Sequence, residues 1–265
     1  INNFYDKIAV SKHLFFRVHV NKSNQLLPTV LREQKYRERE ILIDFKQYAP
    51  THKINYDFER QRDRMLADMQ HHRIPTRLLD WTLAPLNALF FACYDECQKQ
   101  GMNSKKSDSM NQYSEVIVLD PWEYWKAIVR AREEKEIHQI HITSRALLSG
   151  GWDFEKINRY ISSNFGYEEL KEEDLVYPFA YVASYTNDRI LHQRGCFTIH
   201  GTNTSAMDHM DPAQKCIERI QIKNENREQI LKELNQLYIN PYSIYPDFYG
   251  MAAMIRTRGR LFNIK

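Results

Sequence analysis

Apolar and polar positions alternate or recur in runs short enough to assign element by element. His13 to Val20 is aromatic and β-branched and reads as a strand that places Arg17 and His19 on one face. Glu33 to Ala49 carries Ile41, Leu42, Phe45, Tyr48 and Ala49 in helical register, which predicts an amphipathic helix. Asn55 to His72 predicts a second, densely charged helix with Phe58, Met65, Leu66 and Met69 as its apolar stripe. Pro75 ends it, and Thr76 to Thr82 follows as a short extended segment. Pro85 suits the first turn of a third helix that runs to Lys99, with Leu86, Leu89, Phe90, Cys93 and Cys97 on one side.

Gln100 to Ser114 is rich in Lys, Ser and Asn and reads as a mobile loop. Glu115 to Asp120 is the clearest strand, and Trp122, Trp125, Ile128 and Val129 mark a helix entering the charged run Arg130 to Glu136. Gly150 to Glu173 gives only short helices and turns. Tyr177–Val182 and Gly195–His200 read as strands around Asn187–Arg194, and Ile217–Ile222 alternates as a half-exposed strand. A helix from Glu225 to Tyr238 is expected to turn Ile230, Leu231, Leu234, Leu237 and Tyr238 inward, with Asn224 as its N-cap. A short helix over Gly250–Arg256 closes the series. Strands and helices mix without a βαβ period or a repeat, so the expected class is α+β. One domain over 1–265 is expected, built from 13–99, the loop 100–114 and the remainder 115–256.

Composition narrows the chemistry. The 265 residues include 16 Tyr, 13 Phe and 4 Trp but only 8 Gly, and 37 basic residues nearly balance 34 acidic ones. That is enough apolar mass for a core without disulfides or metal. A Gly-rich phosphate loop, a Rossmann fingerprint and a P-loop are all missing, and Ser149-Gly150-Gly151 lacks the frame of a nucleophile elbow. Cys93, Cys97, Cys196 and Cys216 have no C-x-x-C spacing and sit among apolar neighbours, so they read as buried thiols rather than nucleophiles or metal ligands. No apolar run approaches the length of a membrane span, and no signal segment is seen; the expectation is a soluble, cytoplasmic protein.

Four patches carry a resemblance. Gln70-His71-x-x-x-Pro75-Thr76-Arg77-Leu78-Leu79-Asp80-Trp81-Thr82-x-x-Pro85-x-x-Ala88-Leu89-x-Phe91-Ala92 closely resembles the signature of the FRG domain family, with Phe16-Arg17-Val18 at the place of its Phe-Arg-Gly. Arg189-Ile190-x-x-Gln193-x-Gly195-x-Phe197-Thr198 is similar to the family's second stretch, and Ser243 to Ala252 to its closing Phe-Pro-Asp-Leu-x-Gly-Leu-Ala segment. Val18 stands in place of the family Gly, and His19 in place of a common Gln.

The resemblance implies kinship with ADP-ribosyltransferases that act as toxins in bacterial toxin–antitoxin or anti-phage systems. It implies NAD held between two small sheets, no metal, an RNA or protein acceptor, and an antitoxin partner. On that reading Arg17 grips phosphate or ribose, His19 assists from the same face, and Arg189 binds phosphate. Gln193 stands near the late Glu or Gln that orients ribose or acceptor. His71 is either a general acid or base or a helix-end residue. Arg77 and Asp80, charges in an apolar frame, are expected to pair with each other or with a backbone turn, or else to contact the ligand. Trp81 either stacks on the nicotinamide or fills the core. No catalytic carboxylate is assigned; Glu218 and Asp247 are available, and Asp247 also fits a helix cap. The alternative is a non-catalytic RNA- or nucleotide-binding module, using the basic clusters Arg60–Arg64 and Arg256–Arg260.

Overall fold

A computed structural model of the chain describes residues 4, 8, 14–20, 25–33, 36–57, 61–99, 113–133, 176–182, 185–201 and 203–261. The expected short helices of 150–173, most of the loop 100–114, and Phe58 and Arg60 lie outside them.

Six strands build one antiparallel sheet: β1 Phe15–His19, β2 Leu78–Thr82, β3 Tyr113–Leu119, β4 Phe179–Tyr181, β5 Gly195–Ile199 and β6 Ile217–Lys223, in the order β4-β5-β2-β1-β3-β6. Ten α-helices accompany them among the described residues: α1 Thr29–Arg32, α2 Glu38–Tyr48, α3 Arg62–His71, α4 Pro85–Lys99, α5 Pro121–Glu133, α6 Asp188–Gln193, α7 Asp211–Gln214, α8 Arg227–Gln236, α9 Pro241–Ile244 and α10 Phe248–Leu261. Early and late strands interleave, so the class is α+β.

The sheet is nearly two sheets. β3 pairs with β1 from Phe15↔Leu119 to His19↔Glu115, and with β6 along its whole length. On the other side, β5 pairs with all of β2 and with β4. Between these halves β1 meets β2 at one pair, Phe16↔Thr82. The strands touch at that point and part beyond it, so the carbonyls and amides facing the gap need other partners.

Two apolar cores flank the sheet. Phe15, Ile117, Leu119, Met65, Leu66, Met69, Leu79, Trp81 and Phe197 belong to one, which α3 and α5 help build. Phe16, Val116, Val118, Ile220 and Ile222 belong to the other, closed by Leu89, Phe90 and Cys93 of α4 and by Leu231 and Leu234 of α8. Strand alternation explains the split: Phe15 and Phe16 point to opposite faces of β1.

Several elements differ from the sequence reading. The helix expected from Glu33 begins at Glu38, the one expected from Asn55 begins at Arg62, and the last helix runs to Leu261. The third strand opens at Tyr113, where a loop was expected, and buries Ser114, whose hydroxyl donates to the Ala92 carbonyl at 2.9 Å. Asn224 opens a 3-10 turn rather than capping α8. Leu237 and Tyr238 point outward, because α8 stops at Gln236 and Tyr238 has turned into the left-handed region at φ 61°, so helical periodicity no longer applies to them. Tyr48 is exposed as well.

Candidate functional site

A two-lobed cleft opens where β1 and β2 part. The first lobe, about 280 Å³, is walled by Phe16, Arg17, Val18, Trp81, Phe91, Tyr94 and Tyr245. The second, about 260 Å³, is walled by Gln70, His71, Arg73, Arg189, Ile190 and Phe197. Asp80, Trp81, Phe91, Gln193 and Tyr245 line both, which makes them one cleft with a polar waist. Its size and mixed lining are those of a small-molecule site.

Asp80 sits at that waist. β2 reads buried-buried-exposed-buried-buried, and the exposed member in mid-strand is this carboxylate. A charge in a central strand needs an opening above it and partners around it. Gln70 Nε2 donates to Asp80 Oδ2 at 2.8 Å, and the Gln70 amide oxygen accepts from the Thr76 hydroxyl, so the carboxylate is held from α3. The carboxylate faces the cleft, yet protein crowds it on every other side. This crowding raises its pKa, against the opposing pull of the Arg17 charge and the Gln70 hydrogen bond.

Arg17 spans the gap. Its guanidinium donates from Nη1 to the backbone carbonyl of Asp80 at 2.7 Å, standing in for the strand partner that β2 lacks there. Its Nε has no partner among the described residues. Burial brings its pKa down to about 10, with Asp80 pulling the other way, so it stays a cation. A cation lining an open cleft is suited to an anion.

The far wall is clamped in place. Asn187 caps α6 by accepting from the Ile190 amide at 3.0 Å, and Asp68 of α3 accepts from Thr186 at 2.7 Å. At the other end of α6 the Gln193 carbonyl accepts from the Thr82 hydroxyl at 2.6 Å, and the His192 carbonyl accepts from Asn87 at 3.1 Å. Gln193 and Arg189 are thereby fixed against β2 and α4. The Arg189 guanidinium lies 4.6 Å from the Tyr245 ring centroid, a cation–π contact, and its Nε also lacks a partner among the described residues. Tyr245 owes its place to Gly250: a Cβ there would meet the Tyr245 carbonyl oxygen at 1.9 Å.

Six of the residues singled out from the sequence therefore meet in the cleft: Arg17, Asp80, Trp81, Gln193, His71 and Arg189. His71 is half-buried at the end of α3, and burial with the charges of His72 and Arg189 lowers its pKa, which keeps it neutral near pH 7. Trp81 is both core and wall: it is 4% exposed, and its Nε1 donates to Thr198 at 3.0 Å.

Two residues lie elsewhere. Arg77 and Asp80 do not pair, because positions three apart on an extended chain point to opposite faces. Arg77 donates to the Glu38 carboxylate and to the Gly201 carbonyl instead. His19 does share its strand face with Arg17, but it is buried at 2% exposure, and burial with neighbouring Arg charges holds its pKa near 3, so it is a neutral core residue outside the cleft. Of the spare carboxylates, Glu218 is exposed on the edge strand β6. Asp247 caps α10, its Oδ1 accepting from Gly250 N at 2.7 Å. Gln70, Phe91 and Tyr245 were given no role in the sequence reading, although all three lie within the quoted patches. Cys196 is buried and Cys216 half-buried, and burial pushes both thiols up, Cys216 to about 11, which leaves them unreactive near neutral pH.

An antiparallel sheet pinched at its centre, with a cationic and aromatic cleft over the pinch, defines an α+β fold with one candidate site. Residues 12–101 match the FRG domain family, and the chain carries an FRG domain there. That match spans β1, β2 and α1 to α4, whereas Arg189, Gln193 and Tyr245 lie beyond it. No curated protein and no solved structure matches the chain. No helix among the described residues is long and apolar enough to cross a membrane.

Proposed function

We propose that the cleft binds NAD and that the chain transfers ADP-ribose from it to a macromolecular acceptor. The observation that carries this reading is the cluster at the pinch: the exposed carboxylate of Asp80 in a cleft that the guanidinium-bearing residues Arg17 and Arg189 also line. A dinucleotide needs cations for its pyrophosphate, a flat apolar wall for its base, and a carboxylate near the ribose carbon that becomes cationic. The first lobe supplies Phe16, Trp81, Phe91 and Tyr94 as the wall. Arg17 and Arg189 supply the cations, and Asp80 the anion.

The carbon–nitrogen bond between ribose and nicotinamide breaks with its electron pair leaving on the nicotinamide nitrogen. The ribose carbon passes through an oxocarbenium-like state that Asp80 stabilises. An acceptor heteroatom then bonds to that carbon and gives its proton to a base, for which neutral His71 in the second lobe is suited. The Gln193 amide, fixed by its own carbonyl, orients the acceptor or the ribose hydroxyls. Val18, in place of the family Gly, adds a branched side chain to the wall of the first lobe.

In this reading the protein is a toxin held in check by an antitoxin that covers the cleft. Incubation with labelled NAD and a cell lysate tests the chemistry: release of nicotinamide with label on RNA or protein is expected. NAD binding without any turnover would leave the alternative, a non-catalytic nucleotide-binding module. Failure to bind NAD at all would remove the proposal.

A further inference from the structure

Beside the cleft, the C-terminal part of the chain exposes several aromatic rings. Tyr238 is 84% exposed, Phe248 80% and Tyr249 65%. Large rings this exposed are candidates for an interaction site. Phe248 and Ile255 are seven apart and share the outer stripe of α10; Tyr249 and Arg256, also seven apart, flank it. Arg256 and Arg258 are exposed, so aromatic and cationic positions follow one another over about 15 Å of helix.

Charge decides what kind of partner this face fits. Between Leu237 and Leu261 the chain has one acidic residue, Asp247, and its carboxylate is engaged in capping α10. The face is therefore cationic with unstacked rings. Tyr238 adds a second sign: it occupies a left-handed position, φ 61°, just past a helix end, where glycine is the unstrained choice. A tyrosine there costs backbone strain and displays its ring to solvent.

The face is continuous with the cleft. α9 packs between α6 and α10, His192 Nδ1 lies 3.1 Å from the Ser243 carbonyl oxygen, and Tyr245 leads from α9 into the cleft wall.

From these observations we infer that the surface of α9 and α10 is a docking platform for single-stranded nucleic acid, whose bases stack on Phe248, Tyr249 and Tyr238 while Arg256 and Arg258 track its phosphates. As the acceptor's landing site it rests on the transferase reading, but its binding test does not involve NAD, so the two can fail separately.

The test is fluorescence anisotropy with a labelled 20-nucleotide single-stranded RNA, the same sequence as single-stranded DNA, its duplex, and an acidic peptide of similar charge. Both single strands are expected to bind, more tightly than the duplex, with affinity falling steeply as salt rises. Phe248→Ala with Tyr249→Ala should weaken single-strand binding by about 10-fold or more. Phe248→Trp should retain it. Arg256→Ala and Arg258→Ala should each lower the salt slope by about 1. All four positions are exposed, and NAD binding should be unchanged in each variant. No salt-dependent binding of either single strand, binding indifferent to the ring variants, or equal affinity for the acidic peptide would overturn the assignment. A preference for RNA over DNA would identify contacts to the 2′-hydroxyl.

Discussion

Two arginines on strands of the same sheet are treated in opposite ways. Arg219, on the edge strand β6, donates to Glu115 at 2.9 Å and to Asp208 at 2.5 Å; both carboxylates are its own structural partners. Arg17, on the central strand β1, has one backbone carbonyl and an idle Nε. Burial alone would predict the reverse, since Arg17 is half-buried and Arg219 is exposed. What differs is the ladder beside them: β6 pairs with β3 along its length, whereas β1 leaves β2 after a single pair. Where strands pair fully, charge is neutralised by charge. Where they part, charge is left facing an opening, where a ligand rather than a brace can answer it.

The largest effect should come from Arg17→Ala. If Arg17 holds the anionic part of the ligand, NAD turnover should fall by about 100- to 1000-fold while the circular dichroism spectrum and melting curve stay close to the parent's. Arg219→Ala should do the reverse. It leaves the buried Glu115 carboxylate without that donor, costing about 1–3 kcal/mol of stability, with turnover per folded molecule unchanged. A folded Arg17→Ala protein with full turnover would dissolve the contrast.

Asp80→Asn comes next and has two readouts of opposite sign. Turnover should drop by about 100-fold, because a neutral amide cannot stabilise a positive ribose carbon. Stability should move the other way. Crowding raises the Asp80 pKa in the folded protein, so the group's contribution is present below its unfolded pKa and is lost as pH rises through the folded value. Ionising the carboxylate therefore burdens the fold as pH rises, and Asn removes that burden. The variant should melt above the parent at pH 7, and the gap should close as pH falls toward the ordinary carboxylate range. A parent melting above the variant at pH 7 would show that the cleft does not strain Asp80. Sites that hold function against stability follow this pattern.

The sequence carried more of this than of the pairing. Phe16-Arg17-Val18 and Leu78 to Trp81 announced themselves as extended segments by composition, and the patch around Asp80 fell on the segment that lines the cleft. The partners were not legible. Arg77 and Asp80 look like a pair because both are charges in one apolar frame, but positions three apart on a strand point to opposite faces. Nothing local says that Arg77 will find Glu38, 39 residues earlier, or that β1 and β2 will share one rung. Tyr238 was misplaced for a local reason, since the helix that would have turned it inward ends two residues before it. Long-range register decides which charges are satisfied, and register is set by the whole sheet.

Arg77→Ala sharpens the same contrast within one motif. Arg77 lies three residues before Asp80 but braces α2 through Glu38, with both side chains 16% exposed. Removing it leaves a mostly buried carboxylate unpaired, so stability should fall by about 2–4 kcal/mol in chemical denaturation. The protein that remains folded should turn over NAD at the parental rate. A loss of turnover with unchanged stability would move Arg77 into the site and erase the boundary between brace and cleft.

The smallest effect is expected at Glu218, and it is the most direct check on where the catalytic anion lies. Its Cα faces Val118 across β3, at the outer edge of the half-sheet that contains β1. β3 and β1 stand between it and the pinch, and it belongs to neither lobe of the cleft. An exposed carboxylate at that remove is screened by solvent, over a Debye length of about 8 Å at physiological salt. Glu218→Gln should therefore leave both turnover and melting temperature within the scatter of a surface substitution, about ±0.5 kcal/mol. If turnover instead fell as far as it does for Asp80→Asn, the anion that matters would sit at the edge of the sheet, and the parting of β1 from β2 would be a gap in a scaffold with no bearing on chemistry.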